Sequence, residues 1–396
     1  MSNKRMVPDV RFKGFEGEWI QNPLGKIGVF NSNGVDKLSK PNEQKVFLLN
    51  YMDVYNCRQI DLNTYKSLME VTANARQVVE NNIKSGDVFF TPSSETIDDI
   101  GHVWTINYDL PNTVYSYHLM RFRPFNNIFY NVYPNFGFST DDIQKQIMFN
   151  AKGVQRFVLS KPDFENLIVK YPSISEQSKI AEFLTEVDNL ITQTNNKLDK
   201  LKDVKKSLLN KMFPIEGKHV PEIRFKSFSE NWNKFQFSEL LDYERPDKYI
   251  VTSDKYSEFY KTPVLTANKG FLLGFTNETN TYNKSCILFD DFTLDSKYVN
   301  FPFMVKSSAL KILTAKGNCN DYFIYSVINA TSFELQGHAR HYIEFVQPVK
   351  TLVPSLLEQS KIAEFLTAVD KLITLQDKKL NKLKKIKKAL LQKMFV

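Results

Sequence analysis

Cysteine is scarce in this chain of 396 residues: Cys57, Cys286 and Cys319 stand far apart and without CxxC spacing. That excludes a disulfide framework and a zinc ribbon, and fits reduced thiols in a cytoplasmic protein. Long apolar runs are also missing. None approaches the roughly 20 residues of a membrane span, and the start, MSNKRMVPDV, lacks the apolar centre of a signal peptide. No membrane association is expected. The motifs of several chemistries are absent too. There is no [DNS]-P-P-[YFW] run for amino-methyl transfer, no glycine-rich strand-to-helix turn for S-adenosylmethionine, and no G-x-x-x-x-G-K-[ST] phosphate loop. His338 and His341, in GHARH, stand three apart and would supply half of a metal site, but no cysteine or further histidine lies nearby, so no metal is expected. The chain reads as one without catalytic residues or a cofactor of its own.

What the sequence does contain is a long helix written twice. Pro172–Pro214 and Pro354–Val396 are related by a shift of 182 positions, with 29 of 43 residues identical. A repeat this clear organises the rest of the reading. Each copy opens on a capping-box pattern, Ser173 with Glu176 and Ser355 with Glu358. Apolar residues then recur at alternating steps of four and three. In the first copy they are Ile180, Leu184, Val187, Ile191, Leu198, Leu201, Leu208 and Met212; in the second, Ile362, Leu366, Val369, Ile373, Leu380, Leu383, Leu390 and Met394. This 3.5-residue period predicts a coiled-coil seam in helices of roughly 36 residues, about 54 Å each. A core helix within one globular domain is the competing reading. Length and heptad regularity favour packing of the two copies on each other, with Thr194 and Gln376, and Lys205 and Lys387, at matching polar steps.

A second duplication precedes each helix by a long interval: VPDVRFKGFEGEW at 7–19 and VPEIRFKSFSENW at 220–232. The chain is therefore two tandem half-repeats, divided linearly into a first globular region (1–172), a first long helix (173–214), a second globular region (215–353) and a second long helix (354–396). The globular interiors do not visibly match. The first shows short β-prone runs at Lys45–Tyr51, Asp87–Thr91, His102–Ile106 and Asn127–Tyr133; the second at Thr262–Leu265, Ser285–Phe289, Phe301–Val305 and Tyr322–Val327. Both predict mixed α+β domains with a curved, mostly antiparallel sheet.

The run Pro-x-x-x-Glu-Gln-x-Lys-Ile-Ala-x-x-Leu, at Pro172–Leu184 and again at Pro354–Leu366, together with Gly-x-x-Arg at Gly153–Arg156 and Gly337–Arg340, resembles the specificity subunits of type I restriction-modification systems. The resemblance spans the chain. It implies two target recognition domains separated by an antiparallel two-helix coiled coil, each reading one half of a bipartite, asymmetric sequence in double-stranded DNA. It also implies that the helices set the unread spacer and dock two methyltransferase subunits, and that restriction subunits complete the complex. S-adenosylmethionine, and ATP with Mg2+, would then serve the partner subunits and not this chain. A coiled-coil adaptor that reads no sequence is the alternative; a self-contained fused restriction enzyme conflicts with the missing motifs.

Charge does not decide between them. The net +8 and pI of 9.0 are carried mainly by the second helix segment, with 10 Lys+Arg against 4 Asp+Glu. The globular regions hold 19 against 18 and 16 against 16, so neither is a basic domain. The run Lys378–Lys388 reads as a solvated face or partner contact. Base-reading candidates are loop residues able to pair with base edges. In the first region these are Ser93, Ser94, Glu95, Thr96, Arg121, Arg123, Lys152, Gln155 and Arg156. In the second they are Lys297, Lys316, Asn318, Asn320, His338, Arg340 and His341.

If the helices are a ruler, one heptad inserted into each, between Leu201 and Leu208 and between Leu383 and Leu390, keeps the seam and lengthens the arm. Mapping the sequence recognised by such a variant should reveal a changed gap between half-sites or a failure of assembly. Unchanged spacing at full efficiency would exclude the helices as the ruler.

Overall fold

The structure, a computed structural model, describes residues 6–125, 128–215, 217–267, 270–333 and 341–396. Two helices of 38 residues each, Ile174–Lys211 and Leu356–Lys393, stand where the repeat places them. The chain forms two compact units, one of residues 1–193 with 380–396 and the other of residues 194–379. Both boundaries fall inside the long helices, so the units do not follow the linear division at 172, 214 and 353.

In the first unit a four-stranded antiparallel sheet runs in the order Gly28–Asn31, Met120–Pro124, Asp87–Phe90, Val103–Ile106. The run Asp87–Phe90 is buried throughout because both faces of the sheet are covered. Alternation sends Val88 and Phe90 into one core with Phe122, Phe138 and Phe164, and Phe89 into another with Tyr115 and Leu119. A three-stranded sheet lies in the order Met69–Ala73, Gln44–Leu49, Thr113–Tyr115, the last pair parallel.

The second unit repeats this frame. Its four-stranded sheet is Leu241–Glu244, Leu310–Ala315, Cys286–Asp290, Ser296–Val299, and its three-stranded sheet is Leu272–Thr276, Thr262–Leu265, Met304–Val305. Again the last pair is parallel. Again alternate residues of the buried central strand separate, Ile287 and Phe289 to one core, Cys286 and Leu288 to another. The interiors that share no visible sequence share strand order and direction.

Each unit closes on its own stretch of helix. In the first, Ile180, Ala181 and Leu184 share a core with Leu390 and Met394, and Lys387 Nζ lies 2.6 Å from Asp188. In the second, Leu208 and Met212 share a core with Ile362 and Leu366, and Lys205 Nζ lies 2.6 Å from Asp370. Gln376 Nε2 donates to the Thr194 carbonyl at 3.1 Å. Within each unit the paired helical stretches run in opposite directions. Every predicted seam position is buried or partly buried. The polar lysines are not left bare in the seam: Lys205 and Lys387 each neutralise an aspartate one repeat apart, Asp370 and Asp188.

The short motifs fasten these stretches. Arg11 forms a bidentate pair with Glu176 at 2.7 Å for both bonds, with the carboxylate 2 % exposed. Arg224 does the same with Glu358 at 2.7 and 2.8 Å. The backbone N–H of Val10 donates to the Lys393 carbonyl, and that of Ile223 to the Lys211 carbonyl, both at 2.9 Å. Trp19 meets Phe395 edge-on, Trp232 meets Phe213, and Phe12 and Phe225 meet Phe183 and Phe365 in the same way. The glutamates expected to close capping boxes thus grip arginines distant in sequence. The glutamines beside them turn back on the helix start, Gln177 Nε2 donating to the Pro172 carbonyl and Gln359 Nε2 to that of Pro354.

Three β-prone runs differ from expectation. Tyr322–Val327 lies in a helix, Asp321–Ala330, capped by Asn320, whose side chain accepts from the Phe323 N–H. Its apolar residues Phe323, Ile324, Val327 and Ile328 fall on one helical face, a spacing that a short β-branched run conceals. Of Asn127–Tyr133, Asn127 lies outside the described residues and 128–133 form no strand; the Tyr130 N–H and Ile128 carbonyl bond instead to the Gln177 amide. Phe301–Val305 contributes only Met304–Val305 as strand.

Removing Arg11 or Arg224 leaves a buried carboxylate without its partner, a loss of about 3–5 kcal/mol. R11A and R224A should each lower the thermal midpoint and speed hydrogen exchange in the first turn of the helix carrying the orphaned glutamate. Lysine in place of Lys45's exposed partner Glu70 should change neither.

Candidate nucleic-acid interface

In the first unit a short ribbon brings together candidates that are some 60 positions apart. Phe157–Val158 pairs antiparallel with Ser93–Ser94, and Arg156 then donates from Nη2 to Ser93 Oγ at 3.0 Å. Gly153 makes this turn with φ of +138°, where a Cβ would lie 1.9 Å from the Arg156 carbonyl oxygen. Only glycine fits. The spacing in Gly-x-x-Arg is therefore that of a hairpin tip folding its arginine back on the neighbouring loop. Lys152, Val154, Gln155, Glu95 and Thr96 are exposed around it, Val154 at 93 %.

Beside the ribbon lies a group of residues that sequence reasoning missed. Tyr51 and Tyr55, one turn apart on the helix Tyr51–Tyr55, stack with centroids 6.0 Å apart, and the Tyr51 hydroxyl donates to the Ser93 carbonyl at 2.9 Å. The Tyr55 ring lies 4.5 Å from that of His102, and its hydroxyl donates to Asp99 at 3.1 Å. His102 Nε2 is 2.9 Å from Asp99 Oδ1. The His102 hydrogen bond, with that from Tyr55, holds the Asp99 carboxyl below its usual range despite some desolvation. Burial first, then the charges of Lys37 and Arg156, depress the His118 imidazole below its ordinary value. The YMDVY run carried the one legible signal, two tyrosines at a four-residue step that share a helix face. Asp99 and His102 stand three apart in the one connection before Val103–Ile106, whereas Lys37 and His118 come from two other loops, so no local pattern joins the four.

Two candidates in this unit have other work. Arg121 is 7 % exposed, donates to the Glu80 and Asn82 carbonyls, and stacks 5.1 Å from the Tyr115 ring. Arg123 closes on the buried Asp87 with two bonds of 2.6 Å, and that pairing raises its pKa. Both are framework residues: alternation on one strand points them the same way, toward the carbonyls and carboxylate left by the loop at Glu80–Asp87.

In the second unit Lys297 is exposed on its strand with Nζ 6.0 Å from the Phe271 centroid. By register, Lys297 occupies the place of Trp104, since Phe289 faces Ser296 as Phe90 faces Val103. The aromatic ring after the first strand of the small sheet again meets a basic group at the edge of the large one, Phe271 with Lys297 where Tyr55 met His102. Asn318 is exposed. Lys316 donates to the Ser238 carbonyl at 2.7 Å and lies 3.8 Å from Asp242, with 42 % of its side chain exposed. Asn320 is spent as a helix cap. His341 is fully buried, with Nδ1 3.0 Å from the Asp291 carbonyl oxygen and its backbone N–H on Asp291, which also pairs with the buried Lys311 at 3.3 Å. Asn320 and His341 thus serve the framework. His338 and Arg340 lie outside the described residues. Among the described residues no group of histidine, cysteine and acidic side chains could hold a metal ion, and no helix is long and apolar enough to cross a membrane.

The family model for the type I restriction modification DNA specificity domain matches twice, at residues 38–203 and 229–385. Among curated relatives, the specificity subunit of the type I restriction enzyme EcoR124I/EcoR124II of Escherichia coli is 38 % identical over 146 residues, 32 % of this chain and 35 % of that protein. The MjaVIII specificity subunit of Methanocaldococcus jannaschii is 24 % identical over 269 residues, covering 59 % of this chain and 62 % of that one. The matches to these two relatives thus span less than two thirds of either. Among solved structures, the S subunit of a type I restriction-modification system from M. genitalium aligns over 99 % of both chains with a TM-score of 0.65 at 14 % identity. A chain from a study of complex assembly and conformational transition of the type I R-M system covers 95 % of this chain and 97 % of its own, with a TM-score of 0.55 at 16 % identity. At these identities the structural likeness speaks for the fold. The chain belongs to the type I restriction modification DNA specificity domain family.

The division between readers and framework is testable by separating two readouts. R156A should leave the melting temperature unchanged and relax one position of a bound DNA sequence, at about 1–3 kcal/mol. R121A and R123A should lower the melting temperature. Unaltered sequence preference in R156A would remove Arg156 from the reading surface.

Proposed function

We propose, with that family membership as the premise, that this chain is the DNA sequence-specificity subunit of a type I restriction-modification complex and has no catalytic step of its own. Each unit reads one half of a bipartite, asymmetric target. The long helices set the unread gap and dock two methyltransferase subunits, and restriction subunits join the assembly in the cytoplasm. S-adenosylmethionine, and ATP with Mg2+, serve those partners.

The observation that carries this reading is one frame used twice with different chemistry on corresponding loops. The first unit presents Tyr51, Tyr55, His102 and Arg156, while the second presents Phe271 and, at the place of Trp104, Lys297. Framework pairs such as Arg11–Glu176 and Arg224–Glu358 are kept between the halves, while the exposed loops diverge. A protein that only assembled others would have no need of two dissimilar polar surfaces on identical scaffolds. Different surfaces read different half-sites, so the target is not a palindrome.

The near-neutral globular regions, 1–172 and 215–353, give little of the phosphate neutralisation that supplies most non-specific affinity. Tight binding therefore depends on the partner subunits, and the chain alone should bind DNA weakly with a shallow salt dependence. Co-expression with its methyltransferase subunit in a methylation-free host, followed by mapping of N6-methyladenine across the genome, tests the whole reading. A single two-part motif with a fixed gap is expected. A stable purified complex that methylates nothing and prefers no sequence in random DNA would favour the adaptor.

A further inference from the structure

Asp99 is a carboxylate drawn into the basic and aromatic group of the first unit, and its setting is unusual for a surface aspartate. It takes hydrogen bonds from the Tyr55 hydroxyl and His102 Nε2 and still has 39 % of its side chain exposed. Through the stacked Tyr55 and Tyr51 rings it is joined to Ser93, and through Ser93 to Arg156, so the carboxylate and that cation belong to one contiguous group. The group is rigid. Tyr51 is tied to the Ser93 carbonyl, Ser93 Oγ to Arg156, and the Tyr55 ring lies between Tyr51 and His102.

A carboxylate on a surface that meets DNA is repelled by phosphate, and it is repelled as well by the O6 and N7 acceptors of guanine and the O4 of thymine. Its complementary groups in the major groove are the exocyclic amines, N4 of cytosine and N6 of adenine. An ionised carboxylate offers about four acceptor positions. Tyr55 and His102 occupy some of them and fix its direction, leaving open ones on the exposed side. Such a group discriminates chiefly by rejecting bases, because an acceptor brought against O6 or O4 is left unpaired and repelled.

We propose that Asp99 is a specificity-determining residue of the first unit, accepting a hydrogen bond from the exocyclic amine of a cytosine or adenine at one position of its half-site. Tyr55 and His102 are its positioning residues. The inference rests on the DNA-reading function proposed above and goes beyond it in naming an acceptor, a class of base and one half of the target.

The test is an amine-deletion series on the assembled complex with its methyltransferase subunits. In duplexes carrying the mapped target, each adenine is replaced in turn by purine and each cytosine by 2-pyrimidinone, which lack N6 and N4 respectively, and affinity is measured. For the unsubstituted protein, deletion at one position of one half-site should weaken binding roughly 10-fold or more. The analogue that does so identifies the base. In D99A the same deletion should have almost no further effect, while every other position responds as before. D99N keeps the side-chain shape and should retain only part of the sensitivity, and it carries the test should the alanine variant fold poorly. A merely structural role for Asp99 would lower affinity evenly and leave the deletion profile intact. Full sensitivity at every position in D99A and D99N overturns the assignment. Absence of any sequence preference in the unsubstituted complex would overturn the reading function itself.

Discussion

A bidentate ion pair between an arginine near the start of each half and a glutamate at the start of each long helix fixes where everything else can go. Arg11–Glu176 and Arg224–Glu358 are nearly sealed from water, the carboxylates 2 % and 1 % exposed. Two charges in such a place are tolerable only when geometry satisfies both, and the planar guanidinium matches a carboxylate as lysine does not. Around each pair the same parts recur: a backbone bond to a helix end, a tryptophan edge-on to a phenylalanine, and a second phenylalanine pair. Each motif thereby joins the beginning of one helical stretch and the end of the other within its unit.

That fastening leaves the globular parts free to differ. Apart from Asp87 and Asp290, the central strands Asp87–Phe90 and Cys286–Asp290 need only be apolar on both faces, and they reach that condition with different residues. The basic and polar groups inside the frame are likewise solved twice. In the first unit Asp87 is matched by Arg123, and in the second Asp291 by Lys311. Divergence in the loops then changes what is offered to a ligand without disturbing the sheets, since those side chains contribute contacts to one another more than to the core.

The repeat, the helices and the seam were legible because heptad spacing and near-identity are local properties of the string. The Glu-Gln of the helix start was visible, but its use was misread: a capping box is the local solution, and a distant arginine outcompetes it. The common frame of the two units was illegible for the opposite reason. Burial on both faces constrains residues only to be apolar, so strand order survives where identity does not. Tyr322–Val327 looked like a strand because its face becomes helical only once Asn320 caps it. Among candidate readers, Ser93 with Arg156 could be anticipated from turn signals and Gly-x-x-Arg. Arg121, Arg123, Asn320 and His341 could not be told from readers, since a buried partner such as Asp87 or Asp291 is specified by the fold and not by sequence neighbours. Asp99 and His102 came to notice only through their bonds to each other and Tyr55.

The central claim is that corresponding loops of two like units meet DNA. Hydroxyl-radical footprinting of the assembled complex, with and without its target, measures this most directly, because tyrosine, histidine and phenylalanine report their own exposure. Protection on target binding is predicted at Tyr51, Tyr55, His102 and His118 of the first unit and at Phe271 of the second. A target that binds while leaving these side chains as reactive as before would contradict the account.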